Sequence, residues 1–184
     1  MKDGKLEAQH PFHKSVIVFI LGEDKEKLKE MGWTCVPCNC NHPDRLIAGL
    51  HMIETTDIPS EEIPTIKKFL QKMKERETVD PCKKFKYDIA EYIQKVIESL
   101  GKAKKPFHES IKDFIRGTDK TALEELDLAP YDLCRIFSGL YLLATTKIPH
   151  KEIPAIKKVL QEIYNHKQTG HQMQHYTGIT LELL

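Results

Sequence analysis

The residues best equipped for chemistry stand together in one short stretch, Cys35-Val36-Pro37-Cys38-Asn39-Cys40-Asn41-His42. Thiolates and an imidazole are ligands that zinc favours, and two cysteines separated by two residues can converge on one ion. Cys35, Cys38, Cys40 and His42 are therefore a candidate zinc site, with Cys82 as a ligand that could arrive from elsewhere in the chain. Four ligands in so short a run are cramped for a tetrahedral structural site, which draws its ligand pairs from separated segments. The competing reading is three ordinary thiols and an exposed histidine in a loop, or one adventitious disulfide. A dithiol redox role for Cys35 and Cys38 lacks the strand-then-helix context of a βαβ unit. The chain has 5 cysteines, an odd number, which favours reduced thiols or a metal over a disulfide framework and predicts a cytoplasmic protein. Cys134, in an apolar helical stretch, reads as a core thiol.

Other candidates carry weaker chemistry. His13 and His108 each stand third in a Pro-Phe-His sequence, and Glu62 and Glu152 each precede an Ile-Pro. A carboxylate at such a place suits the positive end of the helix that begins there. A histidine pair could form a small ligand or metal site if both lay near an axis relating two halves of the chain. His166, His171 and His175 are irregularly spaced and read as solvated. Lysines interleave with aromatics at Lys83-Lys84-Phe85-Lys86-Tyr87 and at Lys102 to Phe107, a pattern that can track a nucleic-acid backbone and stack on bases. The same aromatics fit the apolar faces of helices. Over the whole chain 28 Lys+Arg are balanced by 27 Asp+Glu, so the basic footprint is local and nucleic-acid binding is the lesser alternative. No GxGxxG, Walker A, HExxH, GxSxG or kinase-type motif is present.

What must position these residues is a segment written twice. Thr55 to Gln71, TTDIPSEEIPTIKKFLQ, recurs as TTKIPHKEIPAIKKVLQ from Thr145 to Gln161, with 12 of 17 positions identical. Upstream, Pro11 to Met31 matches Pro106 to Leu126 at 11 of 21 positions, and PDRLIAGLHMIETT matches LCRIFSGLYLLATT between them. Chance gives about one identity in twenty, so the pattern is that of a tandem duplication. It also resolves a local ambiguity. Val16 to Leu21 alone reads as a buried strand, but its second copy places Phe107, Ile111, Phe114 and Ile115 at i, i+4, i+7 and i+8, one face of a helix. Gly22 and Gly117 suit its C-terminal stop.

The expected fold is all-α, a tandem duplication of a four-helix unit joined by a linking helix. Each unit has a first helix, a short helix at Asp24 to Met31 or Asp119 to Leu126, a buried apolar helix around Arg45 to Thr55 or Leu133 to Thr145, and a last helix from Pro64 or Pro154. The expected boundaries are residues 11–76 for the first repeat, 77–105 for the linker with a helix at Phe85 to Leu100, 106–168 for the second repeat, and 169–184 for a tail with no obvious helix before Ile179. The longest apolar run, Val16 to Leu21, is far short of the roughly 20 residues of a membrane span. The polar first residues lack the apolar core of a secretory signal.

Two differences between the copies point to function. The corner that carries the cysteines takes eleven residues from Gly32 to His42 in the first copy and six from Asp127 to Asp132 in the second, so closing it does not require them. Ile17, Val18 and Leu21 replace Lys112, Asp113 and Arg116, which gives the first copy an apolar helix face that a protein partner or a second copy of the chain could cover. The sequence thus favours a soluble, non-enzymatic binding or scaffolding protein, with a metal-binding protein and a nucleic-acid-binding protein as alternatives. The metal reading predicts about one zinc ion per chain in protein purified under reducing conditions, lost in Cys38→Ser; metal analysis that finds none removes it.

Overall fold

The computed structural model describes residues 9–23, 42–79, 88–118, 132–165 and 171–184. Among them are eight helices: α1 (Phe12–Leu21), α2 (His42–Thr55), α3 (Ile63–Val79), α4 (Ile89–Ser99), α5 (Phe107–Arg116), α6 (Asp132–Thr145), α7 (Ile153–Asn165) and α8 (His171–Leu183). The described residues form no strand, only two isolated parallel bridges. The chain is all-α, as its periodicities require. The short helices expected at Asp24 to Met31 and Asp119 to Leu126 lie outside the described residues.

The run from Val16 to Leu21 is helical, as its second copy implied. In α1 it buries Phe12, Val16, Phe19 and Ile20; in α5 the same positions are Phe107, Ile111, Phe114 and Ile115. Both helices end alike. Gly22 and Gly117 take left-handed backbone at φ 69° and 71°, and the amides after them, Glu23 and Thr118, return to the carbonyls of Val18 and Asp113 at 3.3 and 3.1 Å. This double turn-back occupies carbonyls that a helix end leaves free. A buried arginine from the next helix completes each end, Arg45 Nε donating to Phe19 O at 2.6 Å and Arg135 Nη1 to Phe114 O at 3.2 Å.

Two elements differ from expectation. The linking helix begins at Ile89, where the Asp88 carboxylate accepts from the amides of Ala90 and Glu91 at 2.8 and 3.3 Å; residues 80–87 lie outside the described part. The tail is helical from His171, well before Ile179. Its polar first turns hid this helix, which carries the wholly buried Tyr176, Thr177 and Thr180. Helix α4 packs on α2 and α3, and α8 packs on α6 and α7. What reads in the sequence as a linker and a tail therefore lies as the closing helix of each half.

One continuous core runs through both halves. Helix α1 meets α6, α5 meets α2, and α2 meets α6. Phe19 stacks on Tyr141 with centroids 5.3 Å apart, and at the equivalent place His51 faces Phe114 at 5.6 Å. Close helix approach inside each half depends on Gly49 and Gly139, where an added Cβ would run into Ile20 and Ile115. Gly139→Ala and Gly49→Ala gain helix propensity of about 1 kcal/mol but overpack a filled core by about 1–3 kcal/mol. Each is expected to lower stability by up to about 2 kcal/mol net, a drop in Tm of up to several degrees that calorimetry would register.

Candidate functional site: a cleft at the seam of the two halves

The two halves hold each other by the same bonds made twice. His10 and Lys105 each precede a proline, a position biased to extended backbone. His10 donates its N–H to Thr145 O at 2.8 Å and accepts from Lys147 N at 2.7 Å; Lys105 donates to Thr55 O at 3.2 Å and accepts from Asp57 N at 2.7 Å. Ser15 Oγ then donates to Thr145 O at 2.9 Å, and Ser110 Oγ to Thr55 O at 2.8 Å. The last carbonyls of α2 and α6, which their own helices cannot use, are thus capped by the opposite half. Each residue meets the counterpart of its partner's partner, the reciprocity of a two-fold relation.

Inside each half the repeated glutamate does similar work. Glu62 Oε2 accepts the backbone N–H of His13 at 2.7 Å, and Glu152 Oε2 that of His108 at 2.9 Å. The carboxylates do serve a positive helix end, but that of α1 or α5 rather than of the helices they precede. The His108 ring adds a bond from Nδ1 at 3.0 Å; a carboxylate only accepts, so Nδ1 carries the proton. His13 Nδ1 comes to 2.9 Å of Glu62 but out of line for a bond. Each histidine thus turns to the glutamate of its own half, and the residues that meet across the seam are Phe12 and Phe107, edge to face at 5.8 Å.

Over these rings opens a cleft of about 410 Å³, walled by Pro11, Pro106, Pro59 and Pro149 and floored by the two phenylalanines. Thr56 and Thr146, Glu62 and Glu152, and Asp57, Lys147 and Lys151 supply its polar lining. Thr56 and Thr146 are each only 2% exposed, and neither Oγ1 has a hydrogen-bond partner among the described residues. Ser15, Ser110 and Glu152, also buried at the seam, have theirs. Sequence reading passed over these threonines, although the doubled Thr-Thr in both copies was a signal. It also passed over Arg45 and Arg135.

The sequence candidates fall elsewhere. Cys35, Cys38, Cys40 and Cys82 lie outside the described residues, and His42 is the first residue of α2. Among the described residues no three His, Cys, Asp or Glu side chains converge where a metal ion could sit. On α1, Ile17 packs partly buried against the core, Val18 is half-buried, and Leu21 is 39% exposed at the helix end. Of the basic and aromatic groups, Phe107 is in the core and Lys105 pairs with Asp113 at 2.7 Å. Lys104 turns inward to Ile53 O and Ser99 Oγ at 3.0 and 3.1 Å, and burial holds its ammonium below the usual lysine range despite Glu54 and Asp57 nearby. The segment from Lys83 to Tyr87 lies outside the described residues. No helix among the described residues is long and apolar enough to cross a membrane.

The chain matches no protein-family model, no curated protein and no solved structure. The seam geometry itself carries a prediction. Glu152→Ala leaves the start of α5 and the His108 ring without this acceptor in a part-buried site, and Glu62→Ala does the same for the start of α1. Each is expected to cost about 1.5–3 kcal/mol in urea unfolding, with the denaturant slope unchanged.

Proposed function

We propose that the protein is a non-enzymatic binding module whose recognition site is the cleft between its two halves. The observation that carries this reading is the pair of buried, unpartnered threonine hydroxyls that line it. A buried hydroxyl without a partner costs about 1–3 kcal/mol, and the chain carries that cost at both equivalent places. A ligand that bonds to the hydroxyls relieves it. The dimensions agree with a small-molecule site, since such pockets run from about 300 to 1,000 Å³ with mostly apolar walls and a few placed polar groups. The nearby Glu side chains are engaged with the starts of α1 and α5 and the His108 ring with Glu152, which supports binding over proton transfer.

A second reading retains the apolar face of α1. Leu21, exposed where the second copy has Arg116, favours contact with a protein partner or a second copy of the chain. Light scattering over a range of concentrations, with Leu21→Arg as control, distinguishes self-association from a monomer.

The cleft reading has its own test. Thr56→Val and Thr146→Val keep side-chain shape and remove only the hydroxyl. Without ligand, each is expected to leave Tm unchanged or raise it by a stability gain of about 1 kcal/mol. A loss of stability in both variants would mean the hydroxyls already have partners, and the argument for a ligand would fail.

A further inference from the structure

The cleft is symmetric in shape but not in charge. Asp57 and Lys147 stand at equivalent positions, each with its backbone N–H in the reciprocal seam bond, so their exposed side chains emerge at matching points on opposite sides. Four residues further on, Glu61 of the first half is replaced by Lys151 in the second, and Lys151 lines the cleft. The first side therefore presents the exposed carboxylate of Asp57, with Glu62 held by one oxygen at the His13 amide. The second presents the ammonium groups of Lys147 and Lys151, with Glu152 held against His108. Neither lysine makes an ion pair with any described residue, and Asp57 lies near the inward-turned Lys104.

Between the charged sides lie the apolar floor of Phe12 and Phe107 and the residues Thr56 and Thr146, whose hydroxyls are buried and unpartnered among the described residues. A neutral or singly charged ligand would leave one side uncompensated. Resting on the cleft reading above, we propose that this site takes a dipolar small molecule. Its cationic group lies against Asp57 and Glu62, its anionic group lies against Lys147 and Lys151, and polar atoms between them bond to the two threonines. Oppositely charged sides also set one orientation in an otherwise two-fold site, which is how a duplicated cleft can select an unsymmetrical ligand.

The test uses four probes of matched chain length, ε-aminocaproate, caproate, hexylamine and hexanol, added to the full-length protein and followed by amide chemical shifts and by calorimetric titration. The expected result is that ε-aminocaproate shifts the amides of Thr56, Asp57, Thr146 and Lys147 and binds at least about tenfold more tightly than the other three, since caproate and hexylamine each lose one charge-assisted contact and hexanol loses both. In a Lys147→Asp, Lys151→Glu double variant, whose changes lie on the exposed surface and leave unfolding unaltered, the preference moves to hexylamine. Equal binding of ε-aminocaproate and a singly charged probe, or a preference unchanged by the charge reversal, overturns the dipolar assignment while leaving the cleft a binding site. Failure of all four probes to move any cleft amide overturns both.

Discussion

The last carbonyls of α2 and α6 depend on the opposite half of the molecule. Each lies at a helix end where its own helix supplies no donor, and each receives an extended-backbone N–H and a buried serine hydroxyl from beyond the seam. A single such bond contributes about 1 kcal/mol net, but breaking the set would leave several buried groups unsatisfied at once. Around these bonds the phenylalanines meet, the prolines wall the cleft, and α1 and α5 come to rest on the helices of the other half. The cleft exists because the seam is closed beside it rather than across it.

This arrangement accounts for much of the repeated sequence. His-Pro and Lys-Pro give the extended residue, the serine three positions after each phenylalanine reaches the carbonyl, the glutamate before each Ile-Pro caps the first helix, and the arginine of the buried helix closes its end. These are physical assignments for positions whose identity between copies is otherwise only a count. Thr56 and Thr146 are the repeated buried polar residues that the fold itself leaves unused.

Much of the fold was legible from the residues. The repeated sequence identified α1 as a helix against its own local pattern, because Phe107, Ile111, Phe114 and Ile115 in the second copy fall on one helix face. The glycine stops were readable because only left-handed backbone at that place favours glycine so strongly. The helix at His171 was not readable, since its first turns are polar and its buried side include threonines that signal no periodicity. The cleft was less legible still. Its parts lie near Pro11, Thr56, Pro106 and Thr146, and nothing in their spacing says that the first segment of one half seats against the connector of the other. The cysteines stand out in the sequence because their chemistry is overt, whereas a site made of proline, phenylalanine and threonine announces itself only when the chain is folded.

The seam also sets an order of assembly during synthesis. Ser15 bonds to a carbonyl 130 residues later, while Ser110 bonds to one 55 residues earlier. As the chain emerges from a ribosome, the acceptor at Thr55 is already waiting when Ser110 appears, but the first helix must hold its donor unused until the end of α6 has been made. One half of the handshake is local in time and the other is delayed by most of the chain. Closing so long a loop is slow relative to forming the helices within it. The segment at His10 is therefore the last piece of the first half to lock, and the side of α1 that meets α6 stays uncovered for that interval.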